Sequence, residues 1–179
     1  YGWFTAGVLL NAFGVALITK AALGTSPISS LPYVLSLRFP VTLGQFTFLM
    51  NMLFILAQVL LLRKDFRPVQ LLQVAVNVVF SLFIDVSMGL LSWMEVGVLP
   101  MRLLALAVGC AVPGFGISVE VAPRVVMVPG EGIVQAIAVV TGRQFGNVKT
   151  AFDATLVSTA LLLSLLFFHQ LQGLEIGTI

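Results

Sequence analysis

The chain repeats itself. Displaced by 102 positions, Gly7, Phe13, Gly14, Pro27 and Gly44 fall on Gly109, Phe115, Gly116, Pro129 and Gly146 without a gap (109 − 7 = 102, and likewise for the others). Most of these residues set backbone shape rather than fill space, since glycine permits close approach and proline fixes φ and lacks an N–H. A duplicated fold is the simplest reading, with residues 1–102 as the first copy and 103–179 as the second. Two polar pairs come with it: Gln45 matches Asn147, and Asn51 matches Asp153.

What is duplicated follows from composition. Of 179 residues, 59% are hydrophobic and 9% charged, and mean hydropathy is +1.11. A soluble domain carries about a quarter charged residues, so this chain belongs in a lipid bilayer. Apolar runs approaching the roughly 20 residues of a membrane helix recur along its length, and none alternates like a barrel strand. The expectation is an all-α, polytopic membrane protein. The net charge of +2 comes from nine Lys and Arg, mostly at span ends, where they report topology rather than a nucleic-acid surface. The single cysteine, Cys110, excludes an internal disulfide and reads as a small packing residue. The chain opens at Tyr1 in apolar sequence, which suggests that native N-terminal residues precede it.

The first span covers 3–22, and Gly24-Thr25-Ser26-Pro27 then breaks it. Ser26 reads as an N-cap and Pro27 as the first helical position. The helix that follows, 27–38, has 12 residues and is about 18 Å long, against a hydrocarbon core of about 30 Å. It is expected to dip into the membrane or lie at its surface. A long span over 40–62 follows, then the basic loop Arg63-Lys64-Asp65-Phe66-Arg67-Pro68, expected on the cytoplasmic side, and a span over 69–93. The second copy repeats the first span at 103–121, the break at Pro129-Gly130-Glu131-Gly132, the half-helix at 133–141 and the long span at 145–168. A mate for the span 69–93 is not reached by Ile179, so one further native helix is expected beyond it.

Parity sets the topology. Three crossings per copy would invert one copy relative to the other, as in many transporters; four would leave them parallel. Counting Arg63, Lys64, Arg67, Arg124 and Arg143 inside against Lys20, Arg38 and Arg102 outside gives five against three, and the parallel arrangement gives the same count. Charge orients the chain without choosing between them. Only the shortness of the half-helices favours inversion.

The run from Lys20 to Pro27, following Phe13-Gly14, resembles the hallmark of the YczE/YyaS/YitT group of bacterial membrane proteins. Leu82-Phe83-Ile84-Asp85, Phe115-Gly116-Ile117, Pro129-Gly130-Glu131-Gly132 and the terminal Gly173-Leu174-Glu175-Ile176-Gly177-Thr178 are similar to that group as well. The resemblance implies a multi-pass protein of the bacterial inner membrane, presumed to transport something. It implies no substrate.

An ionised group within a span costs about 2.5–3.5 kcal/mol on insertion scales, which makes Asp85, Glu120, Glu131, Lys149 and Asp153 candidates for function. Lys149 and Asp153 are four apart and can neutralise one another on one helix face. Asn51 and Asp153 put polar groups at matching depths in the two copies, where a midplane site would form. Glu131 begins the second half-helix, where the dipole stabilises a carboxylate, and Ser26 and Ser29 stand at the start of the first, with Ser29 the mate of Glu131. Glu120 and Arg124 read as an interfacial pair. Asp85 lacks a charged neighbour in its own span, and Lys149 is its expected partner from another helix. Gln45 and Asn147 complete the candidate set for solute or ion binding.

His169 is the only histidine, so no His/Cys metal cluster is expected, and neither a Walker loop nor a Ser-His-Asp set is apparent. The chain is not expected to be an enzyme or to hold a metal or cofactor. The small residues around Gly7, Gly14, Gly109, Gly114 and Gly116 are expected to bring helices close. Two functions remain open: a secondary transporter or passive facilitator of a small polar or anionic solute, with its site at the repeat interface, and a non-transporting accessory or scaffold protein serving a partner complex. The expected surroundings are the lipid bilayer and no nucleic acid, with monomer and homodimer both open.

Overall fold

The computed structural model describes residues 2–63, 66, 68–94, 98–121 and 128–169, with 117–121 described in backbone alone. Within them lie α1 (Gly2–Ala21), α2 (Pro27–Arg38), α3 (Leu43–Leu62), α4 (Leu72–Leu90), α5 (Leu99–Val121), α6 (Pro129–Thr141) and α7 (Phe145–Phe168). All described elements are helical, and five are long and apolar enough to cross a membrane: α1, α3, α4 with the 3-10 turn Pro68–Leu71 that leads into it, α5 and α7. The protein is a polytopic all-α membrane protein. Lys64, Asp65, Arg67, Arg124, the Glu120 side chain and the terminal stretch 173–178 lie outside the described residues.

The expected half-helices are present. Pro27 opens α2 and Pro129 opens α6, each behind an extended residue (Ser26 ψ 150°, Val128 ψ 150°). The second half-helix was expected at 133, but it starts at Pro129, because proline's fixed φ suits the first helical position and needs no acceptor for an N–H. Glu131 stands in its first turn, at the helix start where the dipole argument put it. α5 likewise begins at Leu99 instead of 103, with Pro100 in its first turn.

Packing reproduces the duplication. α3 packs on α6 and α2 on α7; α2 packs on α3 and α6 on α7; α1 packs on α5. Exchanging α1, α2 and α3 for α5, α6 and α7 turns each of these contacts into another, or into itself. Single residues obey the same exchange. Gly14 of α1 abuts Pro113 of α5, and Gly116 of α5 abuts Asn11 of α1; 14 + 102 = 116 and 11 + 102 = 113, so this is one contact seen twice.

The same contacts decide parity. Along α5, Gly109, Pro113 and Gly116 meet Ile18, Gly14 and Asn11 of α1 in turn, so one helix descends as the other ascends. Two crossing helices related by a twofold axis run antiparallel only if that axis lies across them, in the plane of the membrane. The copies are inverted. α4 stands outside this exchange, packing on α1 and α3 through Ile84 with Ala12, Val15 and Leu43. A second cluster, Phe54, Ile133 and Leu156 with Ile28 and Leu31 packed against it, joins α3, α6, α7 and α2 around the axis.

The α1–α5 crossing depends on missing side chains. A Cβ at Gly116 would stand 2.9 Å from Asn11 N and Gly7 O, whereas one at Gly114 would meet nothing within 4 Å. Gly116→Ala is accordingly expected to cost about 1–3 kcal/mol, and Gly114→Ala to stay within about 0.5 kcal/mol of wild type. Thermal unfolding in detergent compares them; equal shifts would contradict the crossing.

Candidate functional site

The starts of the two half-helices meet. A Cβ on Gly130 would lie 2.9 Å from Ile28 Cδ1, and 28 + 102 = 130, so these two mates touch at the pseudo-twofold axis. Around this meeting point is a cavity of about 230 Å³, whose mostly apolar wall also carries Asn11, Ser26, Ser29, Asn51, Glu131 and Lys149. That volume falls below the 300–1,000 Å³ typical of drug-sized ligands and suits a small solute.

The two ends are finished differently. In α2, Ser26 caps the helix: its Oγ accepts from Ser29 N at 3.4 Å and donates to Ser29 Oγ at 2.9 Å. In α6 the N-cap is Val128, which has no side-chain acceptor, and Glu131 occupies the place of Ser29. No hydrogen bond reaches the Glu131 carboxylate among the described residues, so it does not close its own helix end. Asn11, 8% exposed, also lines the cavity, and its amide has no hydrogen-bond partner among the described residues.

The asparagine and lysine of the lining are anchored from behind. Asn51 Nδ2 donates to Asn77 Oδ1 at 2.8 Å, and Asn77 donates to Phe48 O at 3.1 Å. Lys149 Nζ lies 2.8 Å from Asp153 Oδ1, both side chains about a quarter exposed (28% and 23%). The mates Asn51 and Asp153 are thus satisfied in different ways: the first copy borrows an amide from α4, and the second makes its ion pair along one helix face.

Other expected site residues lie elsewhere. The contact of Asp85 with Lys149 is not made. Asp85 accepts from Thr42 Oγ1 at 2.6 Å and Gly44 N at 2.8 Å, which makes it a cap on the N-terminus of α3, where a helix start favours negative charge. Gln45 closes the capping box with Thr42, its Oε1 accepting from Thr42 N at 3.3 Å, and with Asp85 it lines a separate groove between α3 and α4. Asn147 is exposed on α7, away from the cavity lining, and Asp153 acts behind Lys149 rather than at the wall. Of nine expected site residues, Glu131, Asn51, Lys149, Ser26 and Ser29 meet at the cavity.

The sequence profile of one family matches residues 1–179, the whole chain. This chain belongs to the DUF6198 family, a family of unknown function. No curated protein and no solved structure matches it. For this DUF6198 protein, then, geometry carries the functional argument.

Part of that geometry escaped the reading of single spans. Gln58 and Gln73, both at most 2% exposed, exchange two amide hydrogen bonds at 3.2 Å, and Gln58 Nε2 also donates to Pro129 O at 3.1 Å. This pair holds the start of α6 against α3 and α4. Its sequence signal is the spacing of Gln73, Asn77, Ser81 and Asp85, four apart, which draws one polar stripe down α4. A double-mutant cycle between Gln58→Leu and Gln73→Leu should return a coupling of about 0.5–3 kcal/mol. Additive effects would contradict the reciprocal pair.

Proposed function

We propose that the protein is a secondary transporter or passive facilitator of a small polar or anionic solute, binding it where the two half-helices meet. The observation that carries this reading is the convergence of two inverted half-helix N-termini on one cavity, whose largely apolar wall is interrupted by Asn11, Ser26, Ser29, Asn51, Glu131 and Lys149. Each helix start presents backbone N–H groups and about half a positive charge, so together they form a natural seat for negative or strongly polar groups. Inverted copies give the second requirement of transport, because a site on the axis is related equally to both sides of the membrane. The resemblance to the YczE/YyaS/YitT group agrees with this and implies a place in a bacterial inner membrane, which belongs to the same proposal. Alternation would be a rocking of one copy against the other about the α1–α5 crossing.

An accessory protein would need no cavity, and this gives the test. Ser29 is 5% exposed and lines the wall, so Ser29→Phe fills the cavity, whereas Leu162, 66% exposed on α7, lies outside its lining. In vesicles loaded by counterflow with a panel of small polar and anionic solutes, the wild type and Leu162→Phe should take up at least one solute above the empty-vesicle rate. Ser29→Phe should fall at least about tenfold, the equivalent of 1.4 kcal/mol on the barrier. Uptake by the wild type no faster than by empty vesicles would favour the accessory role.

A further inference from the structure

Resting on the transport reading, we propose that the cavity binds a small anion together with a proton held by Glu131, so that flux through it is proton–anion cotransport. The preference for an anion has three sources. Two helix N-termini face the cavity, and that of α6 has no side-chain acceptor at its N-cap. Asn11, more than nine-tenths buried, offers an amide to the cavity with no hydrogen-bond partner among the described residues. Lys149 adds an ammonium to the wall, although Asp153 already neutralises it.

Glu131 sets the condition. The two helix ends contribute about half a positive charge each, and the ionised carboxylate in the same cavity cancels their sum. An anion entering then meets a like charge in a medium that screens poorly. When the carboxyl is neutral, the helix ends are left uncompensated and the anion is attracted, while the carboxyl O–H becomes a donor to it. The proton arrives on a Glu131 carboxyl oxygen from one side of the membrane and leaves from the same atom on the other, and no bond of the solute is made or broken.

Few other groups face this carboxyl. Among the described residues, α7 contributes Lys149 and Asp153, the only charged neighbours. α1 contributes Asn11, α2 contributes Ser26 and Ser29, α3 contributes Asn51 and α4 contributes Asn77, all neutral, and the described side chain of α5 here is Pro113. The pseudo-equivalent position in the other half-helix is Ser29, which does not titrate, so the device exists in one copy only.

Proteoliposomes carrying nitrate, inorganic phosphate or pyruvate as probes, with a pH dye inside, separate the outcomes. For the wild type, uptake of at least one probe should fall about tenfold per pH unit above the titration of Glu131, as one obligatory proton requires, and the lumen should acidify with uptake. Glu131→Gln should carry the same probe with less than about twofold change over the same range and without acidification, and Glu131→Asp should restore both. Glu131→Ser, which installs the residue of the first copy, gives the same test if Glu131→Gln does not fold. A pH dependence unchanged in Glu131→Gln or Glu131→Ser would overturn the proposal and leave the transport reading intact. No uptake of any probe by wild type or variants would overturn both.

Discussion

A helix that begins inside a membrane leaves backbone N–H groups with nothing to bond to, because hydrocarbon supplies no acceptor. This chain makes two such starts, at Pro27 and Pro129, and the rest of the architecture follows from how they are accommodated. Proline removes one orphan donor at each start. Others are closed on the N-cap carbonyl, Ser29 N on Ser26 O and Glu131 N and Gly132 N on Val128 O, and both helix starts border one cavity on the axis. Bringing the starts together requires the two copies to face each other across an in-plane axis. That in turn requires α1 and α5 to cross closely at the centre, which is what Gly14 against Pro113 and Gly116 against Asn11 allow.

Within this shared frame the copies have diverged, and the divergence creates the chemistry. The first half-helix is closed by serine, the second is left open beside a glutamate. The first long span meets α4 through amides at Asn51 and Gln58, whereas the second carries Lys149 and Asp153 as its own ion pair. Gly44 nests against Asp85 and the Ser81 carbonyl, while its mate Gly146 meets nothing within 4 Å. The symmetric elements set depth and position; the asymmetric side chains make the chemistry of the two helix starts different.

Much of this was legible in the sequence because backbone constraints are local. A proline behind a capping serine marks a helix start wherever it stands, and the repeated spacing of Gly, Phe and Pro showed that the pattern occurs twice. Parity was not legible, since the two topologies gave the same charge count; it rests on which residues of α1 meet which of α5, a relation between segments 102 positions apart. For the same reason Asp85 was matched with the wrong partner. Its charge suggested a lysine from another span, yet a carboxylate is equally well served by a helix start, and the start of α3 lies beside it. Gln58 and Gln73 stand in different spans, and only the phase between the two helices puts them face to face.

The meeting of the two half-helices at the axis is the claim on which the cavity and the proposed solute site both depend. It is tested most directly by placing cysteines at Ile28 and Gly130, with Cys110 replaced by serine, and treating the protein in its native membrane with a short thiol cross-linker. Residues in contact across the axis join within one chain, in high yield and independently of protein concentration, and this is the result expected. Failure of the two thiols to join, while each separately reacts with a small maleimide, would contradict the account.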